Sequence, residues 1–424
     1  MPEPRRLTSG GVFCCNQRPC PATQTLVSKS KQQTPEVEMA RTNPPIQTVS
    51  TGLVVAIVGF FSSFPIVLQG LAAMGASAPQ SASGLMMAAI AMGLTAIGLS
   101  LWYRQPISVA WSTPGVALLA ASAMPAAGFP DAIGAFLCAG ALTMLAGLWR
   151  PLGRLAAAIP TTLAQAMLGG VLLPLCIVPF RAAVELPWQA LPVILTWFLA
   201  GRINRLFAVP AAVVAAAIVV VLNAGDASVA PPHLIASPVW TVPSFSLASL
   251  IGIGIPLFIV TMATQNIPGI AVMRSFGYTP APGRMFSAVG AASILSAPFA
   301  APATCLAAIT AAMCSNEDSH PDRDQRYWSA VMAGVFYCLF GVFAVAITTF
   351  AAHADPRLMG TLTGVALIGV LANATQAALD KPDEREAAIL TFAITASGIT
   401  VFGLGAAVWG LLAGGVAYLL RRKS

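Results

Sequence analysis

The chain carries very little charge, and almost nothing with which to hold a metal or run acid–base chemistry. Of 424 residues only 9% are charged, while 57% are hydrophobic, and the mean hydropathy is +0.79. A soluble domain carries about 25% charged residues, so the composition excludes an ordinary soluble protein and implies a polytopic membrane protein. The three histidines, His233, His320 and His353, fall between apolar stretches, and the eight cysteines form no C-x-x-C pair. Metal-ligand and redox spacings are therefore missing. No G-x-x-x-x-G-K-[ST] loop occurs, which removes an ATP-driven pump. The sequence reads as a non-enzyme that needs no cofactor and no metal.

Acid groups are missing from membrane depth as well. The fifteen acidic residues lie in the N-terminal tail, at expected inner loops, or at outer loops and segment ends, as do Asp131, Glu185, Asp226 and Asp355. No buried carboxylate relay or charged selectivity ring is expected. The outer-end acids Asp131 and Asp355 are left as proton-coupling candidates.

What is present is a series of apolar segments: 50–74, 82–103, 107–122, 130–149, 159–179, 187–201, 207–223, 246–273, 281–297, 299–315, 327–351, 358–379, 386–402 and 404–420. Residues 1–48 precede them as a polar, disordered cytoplasmic tail without the apolar core of a secretory signal. With both termini inside, Arg104, Arg150, Arg154, Arg202, Arg205, Arg274, Arg284, Arg323, Arg326, Lys381, Arg385, Arg421, Arg422 and Lys423 are cytoplasmic, with the six basic residues of the tail. Only Arg181 and Arg357 lie outside. That asymmetry favours fourteen crossings of a cytoplasmic (inner) membrane, and it explains the +7 charge by orientation, with no nucleic-acid partner. Two repeats of seven, 49–224 and 225–424, then have opposite orientation, the pattern of inverted-repeat transporters.

Two segments are short and interrupted. In Ile107–Ser122, Pro114 disfavours helix at Thr113 and suits a first helical turn, while Ser112 and Thr113 are capping residues. An extended strand should switch to helix there, with its N-terminus inside the membrane as an anion site. Ala300-Ala301-Pro302-Ala303-Thr304 is its expected counterpart, with a second helix starting after Ala301. Gln265 and Asn266 stand before Pro268-Gly269, and Ser63 and Gln69 flank Pro65. Uncharged polar groups at depth read either as interhelical hydrogen bonds or as substrate contacts. Trp111 and Phe299, each beside a break, read as interface anchors or as aromatic walls of a site.

Ala110-Trp111-Ser112-Thr113-Pro114-Gly115, Thr264-Gln265-Asn266-Ile267-Pro268-Gly269-Ile270-Ala271-Val272 and Ala300-Ala301-Pro302-Ala303-Thr304 together resemble the benzoate/proton symporter (BenE) family, in order from about residue 49 to 421. That family is similar in turn to the seven-plus-seven inverted-repeat transporters of uracil, xanthine and sulfate. The resemblance implies an all-α membrane fold with half-helices in segments three and ten. It also implies a core (49–154 and 245–326) moving against a gate (155–244 and 327–424), and a homodimer. The implied function is alternating-access uptake of benzoate, or a related aromatic carboxylate, with protons. Trp111, Ser112, Thr113, Gly115, Gln265, Asn266, Phe299, Ala303, Thr304, Ser63 and Gln69 would line the site. Ser112 and Gly115 are expected to matter most for affinity. Nucleobase carriers of this fold carry acids on segments eight and ten. Gln265-Asn266 and an acid-free segment ten argue against that substrate class, which stays as the alternative with other anions and, more distantly, a channel. With no acid at depth, the proton is expected to travel with the substrate.

Overall fold

The computed structural model describes residues 44–223, 235–401 and 404–421; the expected tail through residue 43 lies outside them. The first helix, α1 (Ile46–Phe61), starts inside the stretch expected to be tail. Then come α2 (Phe64–Ala73), α3 (Ala78–Tyr103), β1 (Val109–Trp111), α4 (Thr113–Ala120), α5 (Phe129–Leu148), α6 (Arg150–Ala157), α7 (Thr161–Glu185), α8 (Pro187–Ile203) and α9 (Ala208–Asn223). The second half runs α10 (Leu247–Ser275), α11 (Pro282–Ser296), β2 (Thr304–Leu306), α12 (Ala308–Ser315), α13 (Tyr327–Val342), α14 (Ala344–His353), α15 (Pro356–Leu379) and α16 (Arg385–Ala396). It ends with β3 (Thr400–Val401), β4 (Leu404–Gly405) and α17 (Ala406–Arg421).

Among the described residues six helices are long and apolar enough to cross a membrane, counting α1–α2 as one. The bent pair Arg323–Val342 and Ala344–His353, at 54°, brings this to seven. The breaks follow the sequence chemistry. Ser62 and Ser63 form a turn before Pro65. Pro268 stands two residues beyond a π-helical turn, Met262–Asn266, in α10, the kind of local unwinding that often marks function. Ser77 and Gln80 cap α3 reciprocally, the Ser77 N–H donating to Gln80 Oε1 at 2.9 Å.

Two expectations are corrected. The helix expected after Ala301 begins at Ala308, because β1 holds residues 304–306 extended. The segment expected at 386–402 is helical only to Ala396, since Gly398 adopts φ 67° and the chain turns into the β3–β4 hairpin.

Small residues let the helices approach closely. A Cβ on Gly93 would stand 2.5 Å from the Gly334 carbonyl oxygen, so α3 and α13 touch backbone to backbone. Around this contact α13 packs on α1 and α3, and α11 on α5 and α3, whereas α7 packs on α15 and α16. Helix α13 thus sides with the elements before residue 154, although the expected boundary at 327 assigned it to the gate. An extended segment, 235–246, crosses the first group. Its N–H groups at Ala236, Val239, Thr241 and Ser244 donate to Val342 O, Ser83 Oγ, Pro298 O and Pro130 O at 2.8–3.2 Å.

Candidate binding site at the strand pair

Strands β1 and β2 meet antiparallel with Val109 opposite Leu306, Ala110 opposite Cys305 and Trp111 opposite Thr304. The ladder continues at both ends. Ser112 N–H donates to Ala303 O at 2.8 Å and Ala307 N–H to Ser108 O at 3.1 Å, while the Ser108 and Thr310 hydroxyls share a 2.7 Å hydrogen bond. An open strand edge is not tolerated in hydrocarbon, and two side chains cover this one. Ser293 Oγ accepts from Thr304 N–H at 2.8 Å, and Asn266 Oδ1 accepts from Leu306 N–H at 2.9 Å. Asn266 is fully buried, and the π-helical turn of α10 sets its carbonyl at the strand.

Each strand leads into an eight-residue helix, and their N-termini differ. The first N–H groups of any helix lack intrahelical partners. In α4, Ser112 Oγ accepts from Gly115 N–H at 3.1 Å, and Pro114 has no N–H, which leaves only Thr113. In α12, Ala307 is the N-cap and supplies no side chain, so Ala308, Ile309 and Thr310 keep N–H groups without a partner among the described residues. Ile309 is 64% exposed, so this end is open. A helix end of this kind attracts negative charge.

The expected site residues divide by whether their polar atoms are already used. Trp111 is buried; its indole N–H donates to Ser63 Oγ at 2.9 Å, and its ring lies edge-on to Phe60 at 5.3 Å. Ser63 in turn donates to Gly59 O. Ser112 Oγ also shares a 2.8 Å hydrogen bond with Thr261, and Gly115 faces Leu257 so closely that a Cβ would clash at 2.5 Å. Thr113 is half-buried. Ala303 is buried and uses its carbonyl on Ser112. Phe299 does not stand at a helix start; it lies in a turn before Ala300 (φ 72°), with its ring edge-on to Trp240 at 5.2 Å. Four side chains of the expected site remain unused among the described residues, the half-buried Thr113 hydroxyl being one. Gln69 Oε1 and Thr304 Oγ1 are buried without a partner, and half-buried Gln265 makes no hydrogen bond.

The outer-end acids are engaged elsewhere. Asp131, 2% exposed, opens α5, where the helix dipole favours a carboxylate, and accepts from the hydroxyls of Ser244 and Ser249. Asp355 caps α15. The Arg357 backbone N–H, at 2.8 Å, lowers its pKa from the ordinary 3.8, and the Arg357 guanidinium at 3.3 Å adds to this. Sequence reasoning missed Ser293 and the Ser108–Thr310 pair. The available signal was small polar residues on otherwise apolar segments, next to strands whose edges need partners.

A family model described as benzoate membrane transport protein matches residues 42–420. The chain is 37% identical over 379 residues to inner membrane protein YdcO of Escherichia coli, spanning 89% of this chain and 96% of that one. It is 28% identical over 373 residues to the benzoate membrane transport protein of Acinetobacter baylyi, spanning 88% and 94%. Among solved structures, the transmembrane domain of the cyanobacterial bicarbonate transporter BicA has TM-score 0.57 at 14% identity, covering 87% of this chain and 97% of that one. The murine anion transporter Slc26a9 in an inward-facing state has TM-score 0.60 at 14% identity, covering 94% and 73%. At such identities the likeness is one of fold.

Proposed function

We propose that this chain, which belongs to the benzoate membrane transport protein family, imports benzoate or a related aromatic carboxylate together with protons. It is a membrane transporter and not an enzyme. The uncapped N-terminus of α12 carries the finer reading. Among the described residues it offers three unpartnered N–H groups at the end of a buried strand, and residues 300–316 hold no acid to repel a monoanion. Gln265, Gln69 and Thr304, whose side chains hold unused polar atoms, contact the substrate. Trp111, Ser63, Asn266 and Ser112 hold the strands and the α4 end in place. This assignment moves the main anion contact from Ser112 and Gly115 to residues 308–310.

The chain crosses an inner membrane fourteen times with both termini cytoplasmic. Helices α4 and α12 act as half-helices, and the strand pair belongs to a core, including α13, that moves against α7–α9 and α15–α17. The gate mediates a homodimer. No side-chain relay at depth supports the coupling, so the proton travels with the carboxylate.

The deciding experiment is uptake of labelled benzoate by the purified protein in liposomes, with and without an inward proton gradient, and with uracil and sulfate as competitors. Saturable, gradient-dependent uptake that aromatic carboxylates alone compete is expected. Uracil or sulfate competition transfers the protein to another substrate class, and non-saturable, gradient-independent flux makes it a channel. Asp131→Asn and Asp355→Asn are each expected to retain accumulation; loss of accumulation with exchange preserved overturns co-travel of the proton.

A further inference from the structure

We propose that Arg326 is an electrostatic positioning residue for the anion, acting through α12 from its far end. The inference rests on the binding mode given under Proposed function. Arg326 is 7% exposed, and among the described residues it makes no ion pair. Its guanidinium is instead held by carbonyl oxygens: Nη1 donates to Ser315 O at 2.8 Å, Nε to His320 O at 2.7 Å and Nη2 to Pro321 O at 3.4 Å. Ser315 is the last residue of α12. Beside it, Ser329 Oγ donates to Cys314 O at 3.2 Å. The negative end of the α12 dipole is therefore covered by a buried, unneutralised cation and a hydroxyl.

Neutralising the negative end of a short dipole leaves its positive end with less opposing charge. The companion helix has the reverse arrangement. The N-terminus of α4 is capped by Ser112, and at its C-terminus the carbonyls accept from neutral donors, the Ser122 hydroxyl to Leu118 O at 2.7 Å and the Ser122 N–H to Leu119 O at 3.1 Å, with no cation among the described contacts. One short helix is thus bare at its N-terminus and cation-capped at its C-terminus, and the other has neither feature. The acids of the same loop, Glu317, Asp318, Asp322 and Asp324, are exposed, where solvent screens them. Arg326 supplies the positive charge that the binding residues lack, without entering the site, where a fixed cation would hold a monoanion too tightly to release it.

At 1.5 Å per residue α12 spans about 12 Å, and a unit charge at that remove changes anion affinity roughly five- to ten-fold at an effective dielectric near 20. The test compares benzoate with benzamide, its uncharged near-isostere, as ligands of the purified full chain in binding and competition assays. Arg326→Gln is expected to weaken benzoate about five- to ten-fold while leaving benzamide unchanged, and Arg326→Lys to stay within about two-fold of wild type for both. Ser315→Asp provides a second route: it keeps the guanidinium but sets a carboxylate beside it, and the same selective loss of benzoate is expected. Equal losses of benzoate and benzamide, or no loss in either variant that folds, overturn the inference. Failure of the wild-type protein to bind benzoate overturns the functional reading itself, a separable result.

Discussion

Replacing Asn266 with Leu tests whether the strand edge is held as described. Leu has the same number of side-chain heavy atoms as Asn and the same branching at Cγ, with bulkier ends, and the site is fully buried, so the substitution removes polarity without opening a hole. What it removes is the 2.9 Å acceptor for the Leu306 N–H. The 3.2 Å contact from Nδ2 to the Met262 sulfur is weak and counts for little. Leu306 is 2% exposed, so water cannot take over. A buried donor left unsatisfied costs about 1–3 kcal/mol, which is a factor of roughly 5 to 150 in the local opening equilibrium. Hydrogen–deuterium exchange on the detergent-solubilised protein reads this at the amide concerned. Protection of the peptide containing Leu306 should fall by that factor, whereas peptides of α15 and α16, packed away from the strand pair, should be unchanged. Benzoate affinity should fall with it, because β2 sets the position of the α12 N-terminus. Asn266→Asp keeps an acceptor oxygen in either protonation state, so protection at Leu306 should be retained better in it than in Asn266→Leu. Unchanged protection at Leu306 in Asn266→Leu would refute the assignment and return Asn266 to the list of direct substrate contacts.

Other outcomes follow from the same geometry. Gln265→Leu and Gln69→Leu should leave the thermal midpoint of the ligand-free protein equal or higher, since neither amide group satisfies a neighbour, yet weaken benzoate several-fold in direct binding; a lowered midpoint would make them structural. Gly290→Ala should destabilise by about 1–3 kcal/mol, because the new Cβ would lie 2.7 Å from Met144 Cα and force α5 from α11; thermal unfolding measures it. Asp355 has its pKa lowered in the folded protein, chiefly by the Arg357 N–H. The stability it contributes is present above its unfolded value of 3.8 and lost as pH falls through the lower folded value. Asp355→Asn should therefore flatten the acid limb of a stability profile and lower stability near neutrality, with the variant and wild type converging in acid.

The first short segment was legible because its signals are local. Ser112, Thr113 and Pro114 together fix an extended-to-helix switch, and the helix begins at Thr113. The second was not. Its helix opens at Ala308 behind an N-cap, Ala307, with no capping side chain, and Pro302 offered a false start. The intervening residues are extended only because β1 pairs with them, a contact between halves that no local rule encodes. Asn266 was visible as a costly polar group at depth, but the same cost is met by a ligand or by a backbone amide from another segment. Only the geometry separates the two. The place of α13 was equally hidden: a helix apolar on all sides does not reveal which neighbours it packs on.

The β1–β2 pairing also bears on how the protein is made. Chains enter the membrane N-terminal part first, and β1 is complete long before β2 has been synthesised. Until then the carbonyl and N–H groups of residues 108–112 have no strand to bond, and within hydrocarbon each unsatisfied group would cost several kcal/mol. The first half therefore cannot settle as a finished unit. It must wait, wetted or shielded by insertion machinery, for the second half to arrive. The final zipping of three residue pairs is a late, long-range step of the kind that sets slow assembly rates, and it makes the strand pair the natural checkpoint between an inserted chain and a working one.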